Sequence, residues 1–136
     1  MFLLDTHVVS ELRKTKPHGA VLAWLESVPD TALFISAVTL GEIQRGIELT
    51  RDQNPGKADE INRWADRLAS THSILSMDAT TFRLCATLMH HQSDALLEDA
   101  MIAATALQHG LVLVTRNTRD FANFKVTLFN PFETSQ

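Results

Sequence analysis

The sequence has only one cysteine, Cys85, in 136 residues. A single cysteine cannot form an intramolecular disulfide, so nothing indicates an oxidising compartment. The opening residues, MFLLDTH, lack the basic and long apolar segments of an export signal. No apolar run approaches the roughly 20 residues needed to cross a bilayer. These absences predict a cytoplasmic protein that does not contact a membrane.

An excess of positive charge is also missing, because 12 Lys and Arg stand against 16 Asp and Glu, for a formal net charge of -4. Such a chain has no overall field that attracts nucleic acid, so any contact with RNA or DNA must be local. Four arginines lie close in sequence to the acids discussed below. These are Arg45, Arg51, Arg116 and Arg119. The simplest interpretation is that they are solvated surface charges, and the alternative is that they contact a substrate or partner.

Five short apolar runs alternate with segments of helical periodicity, at residues 2–4, 32–36, 73–76, 111–115 and 126–129. The chain has no internal repeat, low-complexity tract or linker, and we expect one domain over residues 1–136. Strands separated by helices are joined by right-handed crossovers, which give parallel sheets. The pattern therefore predicts an α/β fold, a three-layer α/β/α sandwich around a mainly parallel sheet of about five strands.

Four acidic residues lie where such a fold can bring them together. Asp5 directly follows the first strand, and Glu42 lies in the early turns of the helix after the second. Asp99 starts a late helix, and Asp120 lies in a polar loop after the fourth strand. Sheets of this kind bind ligands outside the carboxyl ends of their strands, where the strand order reverses. We therefore expect these acids to face one crevice.

The position of Asp99 on its helix is unusual for a carboxylate. Ile102, Ala103 and Ala106 follow it at helical spacing, so Asp99 shares the face that must pack inward. Clustered carboxylates repel one another unless protons or cations neutralise them, and Mg²⁺ or Mn²⁺ takes oxygen ligands together with water and phosphate oxygens. The acids therefore predict metal-assisted phosphodiester hydrolysis without a covalent nucleophile. Nearby polar residues fit supporting roles: Thr6, Thr115 and Asn117.

Each acid also has a purely structural interpretation. Asp5 can be only the N-cap of the first helix, and Glu42 can be an exposed helix residue. Asp99 can be an acid of a first helical turn that interacts with the helix dipole, and Asp120 can cap a short turn. The four together favour a site, because the fold directs several of them to one edge of the sheet.

Three segments resemble those of a known family: LLDTHVVSEL, SAVTLGEIQRGIE and EDAMIAATALQHGLVLVTRNTRDF. In this order they resemble the PIN-domain ribonucleases, in particular the VapC and FitB-like toxins of type II toxin–antitoxin modules. The resemblance covers nearly the whole chain. It implies a PIN-like α/β/α fold and an Mg²⁺-dependent endoribonuclease, with Mn²⁺ as a possible substitute. It also implies inhibition by a cognate antitoxin whose basic tail enters the acidic groove, and assembly as a homodimer or a dimer of toxin–antitoxin dimers.

The resemblance also assigns site residues. The family's metal-binding acids fall on Asp5, Glu42 and Asp99, and the last acid of its TRNxxDF segment falls on Asp120. We expect Asp5 and Asp99 to bind metal directly, with Glu42 and Asp120 as further possible ligands. Thr115 and Asn117 match polar active-site positions, and weaker substrate or antitoxin contacts are expected from Arg45, Arg116 and Arg119.

One residue departs from the family pattern, because His7 stands where members usually have Asn. A histidine can replace the hydrogen bond of that Asn through one ring nitrogen, but its charge varies near neutral pH. The simpler interpretation is that His7 only begins the first helix.

Two other classes of function stay open. One is phosphoryl transfer on a small molecule through an aspartyl-phosphate, with Asp5 as nucleophile. The position two residues after Asp5, where phosphatases of that type need a second Asp, is His7. The other is a non-enzymatic protein-binding or RNA-binding module whose acidic groove serves only to accept a basic tail.

Overall fold

The computed structural model of the chain describes residues 1–133 and has a sheet of five strands. The strands are β1 (Phe2–Leu4), β2 (Leu33–Ser36), β3 (Ser73–Leu75), β4 (Val112–Val114) and β5 (Leu128–Phe129). All five lie within the runs predicted from the sequence. The last is shorter than predicted, because Lys125 adopts a left-handed conformation with φ of 55° and Val126 and Thr127 lie before the strand.

The sheet has the strand order β3-β2-β1-β4-β5, and every neighbouring pair is parallel. Leu4, the last residue of β1, pairs with Ile35 on one side and with Val114 on the other. The chain therefore builds the sheet outward from β1 in both directions, and the strand order reverses between β1 and β4. Ligands bind parallel sheets at such a point, outside the carboxyl ends of the strands.

Seven α-helices cover the sheet within residues 1–133: α1 (Thr6–Glu11), α2 (Gly19–Ser27), α3 (Ala37–Arg51), α4 (Pro55–Thr71), α5 (Ala79–Met89), α6 (Leu97–His109) and α7 (Thr118–Phe121). The Ser36 side chain caps α3 by accepting from the backbone N–H of Val38. Gly110 ends α6 in a left-handed conformation with φ of 65°, which glycine adopts without strain. No helix in this part of the chain is both long and apolar enough to span a membrane.

Side chains alternate between the two faces of the sheet and build a separate core on each. Leu3 and Leu113 belong to the core beneath α5 and α6, which includes the predicted inward face of α6. Leu4 and Val114 belong to the opposite core, with residues of α1, α2 and α4. Helices on both faces of a parallel sheet form the predicted three-layer α/β/α arrangement, and the carboxyl ends of β1 and β4 meet at its edge.

Glu11 is a buried carboxylate that joins α1 to the segment before α2. Only 5% of the residue is exposed, and its Oε1 atom accepts from the backbone N–H of His18 at 2.8 Å. Its Oε2 atom forms an ion pair with Lys14. The Lys14 ammonium, followed by the His18 N–H, lowers the pKa of Glu11 below its usual value of 4.5. The ionised form of Glu11 therefore stabilises the fold.

We expect Glu11→Gln to lower the free energy of unfolding by about 1–2 kcal/mol at pH 7. A carboxylate whose pKa is lower in the folded chain stabilises it above the unfolded pKa, near 4.5, and loses that effect as the pH falls through the folded pKa. The difference between variant and wild type should therefore shrink towards pH 3 in urea unfolding. Glu26→Gln, at an exposed position on α2, is the control. A pH-independent difference would contradict this role of Glu11.

Candidate active site

Asp5 lies at the centre of the crevice where β1 and β4 end. Its backbone N–H donates to the carbonyl oxygen of Val114 at 2.9 Å, which extends the pairing of the two strands by one residue. Its side chain caps α1, because Oδ1 accepts from the backbone N–H of Thr6 at 2.7 Å. The residue is 4% exposed. Asp5 is therefore the N-cap of α1, but capping uses only one of its two carboxylate oxygens.

The second oxygen of Asp5 belongs to a hydrogen-bonded row that ends at His7. The fully buried Thr115 hydroxyl donates to Asp5 Oδ2 at 2.7 Å and accepts from the backbone N–H of Asn117 at 3.0 Å. The Asn117 side-chain nitrogen lies 3.2 Å from His7 Nδ1, which is 3.8 Å from Asp5 Oδ2. The Asp5 carboxylate is the main cause of a raised pKa of His7. His7 thus faces the acid while its side chain stays largely exposed.

Glu42 faces the same crevice from α3. Its Oε1 atom accepts from the Thr6 hydroxyl at 3.0 Å, and that hydroxyl lies 3.0 Å from the hydroxyl of the buried Thr39. Burial, followed by Glu98 and Asp5, raises the pKa of Glu42 to about 7, although the Thr6 hydrogen bond acts in the opposite direction. A half-buried carboxylate held by a hydroxyl from another helix is not a freely solvated surface residue.

Asp99 approaches from the first turn of α6, two residues after the helix begins at Leu97. Ile102, Ala103 and Ala106 on its stripe are buried, as predicted, so the carboxylate lies at the edge of the core. Burial raises the pKa of Asp99 to about 6, and the negative charges of Asp5, Asp120 and Glu98 raise it further than His7 lowers it. Asp5, Asp99 and Asp120 are therefore close enough for their charges to interact.

Asp120 differs from the prediction in its local structure. It lies in the short helix α7, and not in a loop, with its backbone N–H donating to the carbonyl oxygen of Asn117 at 3.1 Å. Four residues are too few to show a helical period in the sequence. The residue is exposed, so it can reach the crevice from the solvent side.

The three arginines expected near the site have different surroundings. Arg45 donates to both carboxylate oxygens of Glu98, at 3.0 and 3.5 Å, which links α3 to the start of α6. The Arg116 guanidinium lies 4.1 Å above the ring of Phe132, and Arg119 is exposed. Of these three arginines, Arg45 is the one that forms an ion pair, within residues 1–133, with an acid beside the crevice.

Sequence reasoning missed two residues that shape the site. Glu98 acts on the pKa of both Glu42 and Asp99, although only its neighbour Asp99 was singled out. Thr39 was not among the predicted site residues, but its hydroxyl belongs to the Thr6–Glu42 network. Its position three residues before Glu42, on the same face of α3, was a signal that could have identified it.

The donor atoms that line the crevice are suitable for a hard divalent cation. All four acids offer carboxylate oxygens, and burial, followed by neighbouring carboxylates, raises the pKa values of Asp99 and Glu42. No group of three His, Cys, Asp or Glu within residues 1–133 forms a ready-made set of direct metal ligands. Mg²⁺ keeps several waters and needs only one or two direct carboxylates, so this arrangement fits it.

Comparison with known proteins gives the same fold. The sequence model of the PIN domain matches residues 2–126. The VapC ribonuclease Y4jK of Sinorhizobium fredii is 33% identical over 98% of this chain and 99% of its own length. The toxin FitB of Neisseria gonorrhoeae is 32% identical over 97% and 99%. A solved structure of FitAB bound to an IR36 DNA fragment superposes with a TM-score of 0.86 at 30% identity, over 100% of this chain and 99% of the other.

The five-stranded parallel sheet and these matches together define a PIN domain. The chain belongs to the PIN-domain family and, within it, to the VapC and FitB-like toxins. The resemblance inferred from the three sequence segments and the predicted fold class are both confirmed.

Proposed function

We propose that this chain is an endoribonuclease that depends on Mg²⁺, or on Mn²⁺ as a substitute, and acts as the toxin of a type II toxin–antitoxin system. The observation that carries the proposal is the convergence of Asp5, Glu42, Asp99 and Asp120 on the crevice at the strand-order reversal. The name of the related VapC ribonuclease supports RNA as the substrate.

In this proposal the acids hold the metal and the hydroxyl residues hold the acids. Asp5 and Asp99 bind the metal directly, and Glu42 and Asp120 act through water or as further ligands. Thr6 fixes Glu42 and Thr115 fixes Asp5, which keeps each carboxylate in one orientation when the metal is absent. Asn117 and His7 extend the row from Asp5 towards solvent and are suitably placed to contact a phosphate.

A bound divalent cation supplies an activated water and an electrostatic partner for the charge that develops on the phosphate and the leaving oxygen. A water activated in this way makes a cysteine or serine nucleophile unnecessary. Glu42, whose pKa is about 7, can accept a proton from a water held beside it.

Partner proteins follow from the family. FitB was solved as FitAB on a DNA fragment, and the family resemblance implies that a cognate antitoxin inhibits each toxin. A basic antitoxin tail entering the crevice would neutralise the same carboxylates that a metal neutralises, because both bring positive charge to them. We propose this mode of inhibition here, together with assembly as a homodimer or a dimer of toxin–antitoxin dimers.

Removal of the metal tests the proposal. The purified chain should cut single-stranded RNA with Mg²⁺ or Mn²⁺, lose the activity in excess EDTA and regain it when Mg²⁺ is restored. The melting temperature should rise on adding Mg²⁺ to the metal-free protein, because binding to the folded state stabilises it. Calcium offers a control, since it binds carboxylates in a looser geometry.

The outcomes separate the three classes of function. Full RNA cleavage in EDTA would contradict metal dependence. A stable phosphoryl adduct on Asp5 with a small phosphorylated substrate would favour phosphoryl transfer. Absence of any cleavage, combined with tight binding of a basic peptide, would favour the non-enzymatic module.

A further inference from the structure

A groove leaves the acidic site and follows α1 towards α4. One cavity of about 240 Å³ is lined by Thr6 and Glu42 of the site and also by Ser10, Arg13 and Trp64. Thr6 and Ser10 lie about one turn apart on α1, and Arg13 lies in the turn after that helix, so the cavity extends along α1, away from Asp5. A second cavity of about 240 Å³ shares Arg13 and Trp64 with the first. The two cavities are therefore adjacent, and we call them together the α1–α4 groove.

The end of the α1–α4 groove far from the acids is basic. Among residues 1–133, its lining has four cations and one acid, Glu60. Lys14 is paired with Glu11, but the other three cations make no ion pair within residues 1–133: Arg13, Lys57 and Arg67. In a chain whose formal net charge is -4, this is a local concentration of unpaired positive charge beside a negative crevice.

The basic residues of α4 form a stripe that includes an aromatic side chain. Lys57, Ile61, Trp64 and Arg67 are spaced by four, three and three residues, so they lie on one face of the helix. Lys57 lies in the first turn of α4, where the helix dipole disfavours a cation. Trp64 packs on the core beneath α1 and α2 but also lines both cavities. Stability alone therefore does not account for the stripe.

We propose that the α1–α4 groove is the path along which single-stranded RNA reaches the acidic site. Arg13, Lys57 and Arg67 bind phosphates, and Trp64 stacks against a base. The stripe from Lys57 to Arg67 covers about 15 Å of helix. A basic groove with an aromatic platform is how proteins bind single strands without strong sequence preference. The inference rests on the proposed function, because it assigns the substrate path of that same site.

The positive charge of the groove also offsets the electrostatic repulsion between RNA and the acidic site. RNA phosphates and the four carboxylates repel each other, and a bound metal offsets only part of that charge. Cations placed along the groove hold the flanking phosphates while the scissile phosphate enters the crevice. Phosphate contacts position the strand but do not read its bases, so the groove should improve affinity for all single-stranded RNA.

The test measures binding separately from cleavage. Asp99→Asn protein, which cannot cut, is titrated with a fluorescein-labelled single-stranded RNA of mixed sequence at several KCl concentrations. Adding Arg13→Gln, Lys57→Gln and Arg67→Gln should weaken binding about 10- to 100-fold and reduce the slope of log affinity against log salt by about 2. The matched control removes three exposed cations elsewhere, through Arg63→Gln, Arg83→Gln and Lys125→Gln. This control should change the RNA affinity and the salt slope by no more than about half as much as the groove triple variant does.

Trp64 is tested in the same background. Trp64→Leu should weaken RNA binding about tenfold, whereas Trp64→Phe, which keeps an aromatic face, should retain most of it. Melting temperatures of both variants identify any loss of folding. In the cleavage-competent chain, the triple variant should raise KM and leave kcat nearly unchanged, since its residues do not touch the reacting phosphate.

Failure of this inference differs from failure of the proposed function. If the wild-type chain cuts RNA but the triple variant binds RNA like the control, the groove is not the path. If the wild-type chain does not cut RNA, the proposed function fails whatever the groove binds. Loss of binding to a polyglutamate peptide with unchanged RNA binding would assign the groove to an acidic protein segment and overturn the inference.

Discussion

Replacement of Asp99 by Asn is expected to abolish RNA cleavage and to make the metal-free protein more stable. The two effects have one cause. The Asp99 carboxylate is half-buried and faces Asp5, Asp120 and Glu98, which is why its pKa rises from 3.8 to about 6. A bound metal ion is attracted to that negative charge, whereas in the metal-free protein the neighbouring carboxylates repel it. Loss of a direct metal ligand should lower cleavage on the order of 10³-fold.

The stability gain has a defined size and pH dependence. A carboxyl whose folded pKa exceeds its unfolded pKa costs nothing below the unfolded value of 3.8 and its full amount above the folded value of about 6. The full shift corresponds to about 3 kcal/mol before solvent screening, and because Asp99 is partly exposed we expect about 1–2 kcal/mol at pH 7. The variant should melt about 3–8 °C higher than wild type in EDTA at pH 7, and at nearly the same temperature near pH 3.

Calorimetry with and without Mg²⁺ checks this prediction. Wild type should gain stability from the metal and Asp99→Asn should gain little, so the order of their melting temperatures should approach equality or reverse in Mg²⁺. Asp66→Asn, at an exposed position on α4, controls for the loss of one negative charge. A variant that is inactive but less stable than wild type in EDTA would mean that Asp99 has a structural role in the fold.

The parts of the site that were predictable from the sequence are those that local pattern determines. Asp5 follows an apolar run, so its place at the end of β1 was clear. Asp99 precedes an apolar stripe, so its inward direction was clear as well. Both depend on short-range periodicity and on the rule that parallel strands end at a common edge.

The parts that were missed depend on how distant segments approach one another. Glu98 affects Glu42 only because α3 and α6 meet, and their residues are 56 positions apart in sequence. Thr115 was expected in a supporting role, but its acceptor could not be named, because the bond between its hydroxyl and Asp5 joins residues 110 positions apart. Periodicity shows which face of a helix is buried, but not which residue of another helix meets it. The residue pattern and the family resemblance both pointed to the four acids, but neither gave the hydrogen-bond partners that hold them.

Substitution of Asp5 should separate the charge of this carboxylate from its structural contacts. Asp5→Ala and Asp5→Asn should both lower RNA cleavage on the order of 10³-fold, because each removes the negative charge at the metal. Their stabilities should differ. Alanine removes the cap of α1 and leaves the buried Thr115 hydroxyl without a partner at position 5. Asparagine keeps an oxygen that accepts from the Thr6 N–H, and its amide N–H can donate to the Thr115 hydroxyl, which reverses the direction of that bond.

We expect Asp5→Ala to lower the free energy of unfolding by about 1–3 kcal/mol, since the lost cap and hydrogen bond outweigh the relief of charge repulsion. Asp5→Asn should stay close to wild type. Urea unfolding in EDTA measures both. Asp78 is the matched control, because it also caps a helix, α5, and its Oδ1 atom accepts from the N–H and the hydroxyl of Thr81, each at 2.9 Å.

Asp78→Ala should lower the melting temperature but leave RNA cleavage unchanged, since its cap lies outside the crevice. This contrast makes the expectation for Asp5 specific. Equal stability of Asp5→Ala and Asp5→Asn would show that the buried bond to Thr115 contributes nothing to the fold. Wild-type cleavage by Asp5→Asn would show that the site does not need this charge, because asparagine keeps the shape of the side chain and removes only the charge.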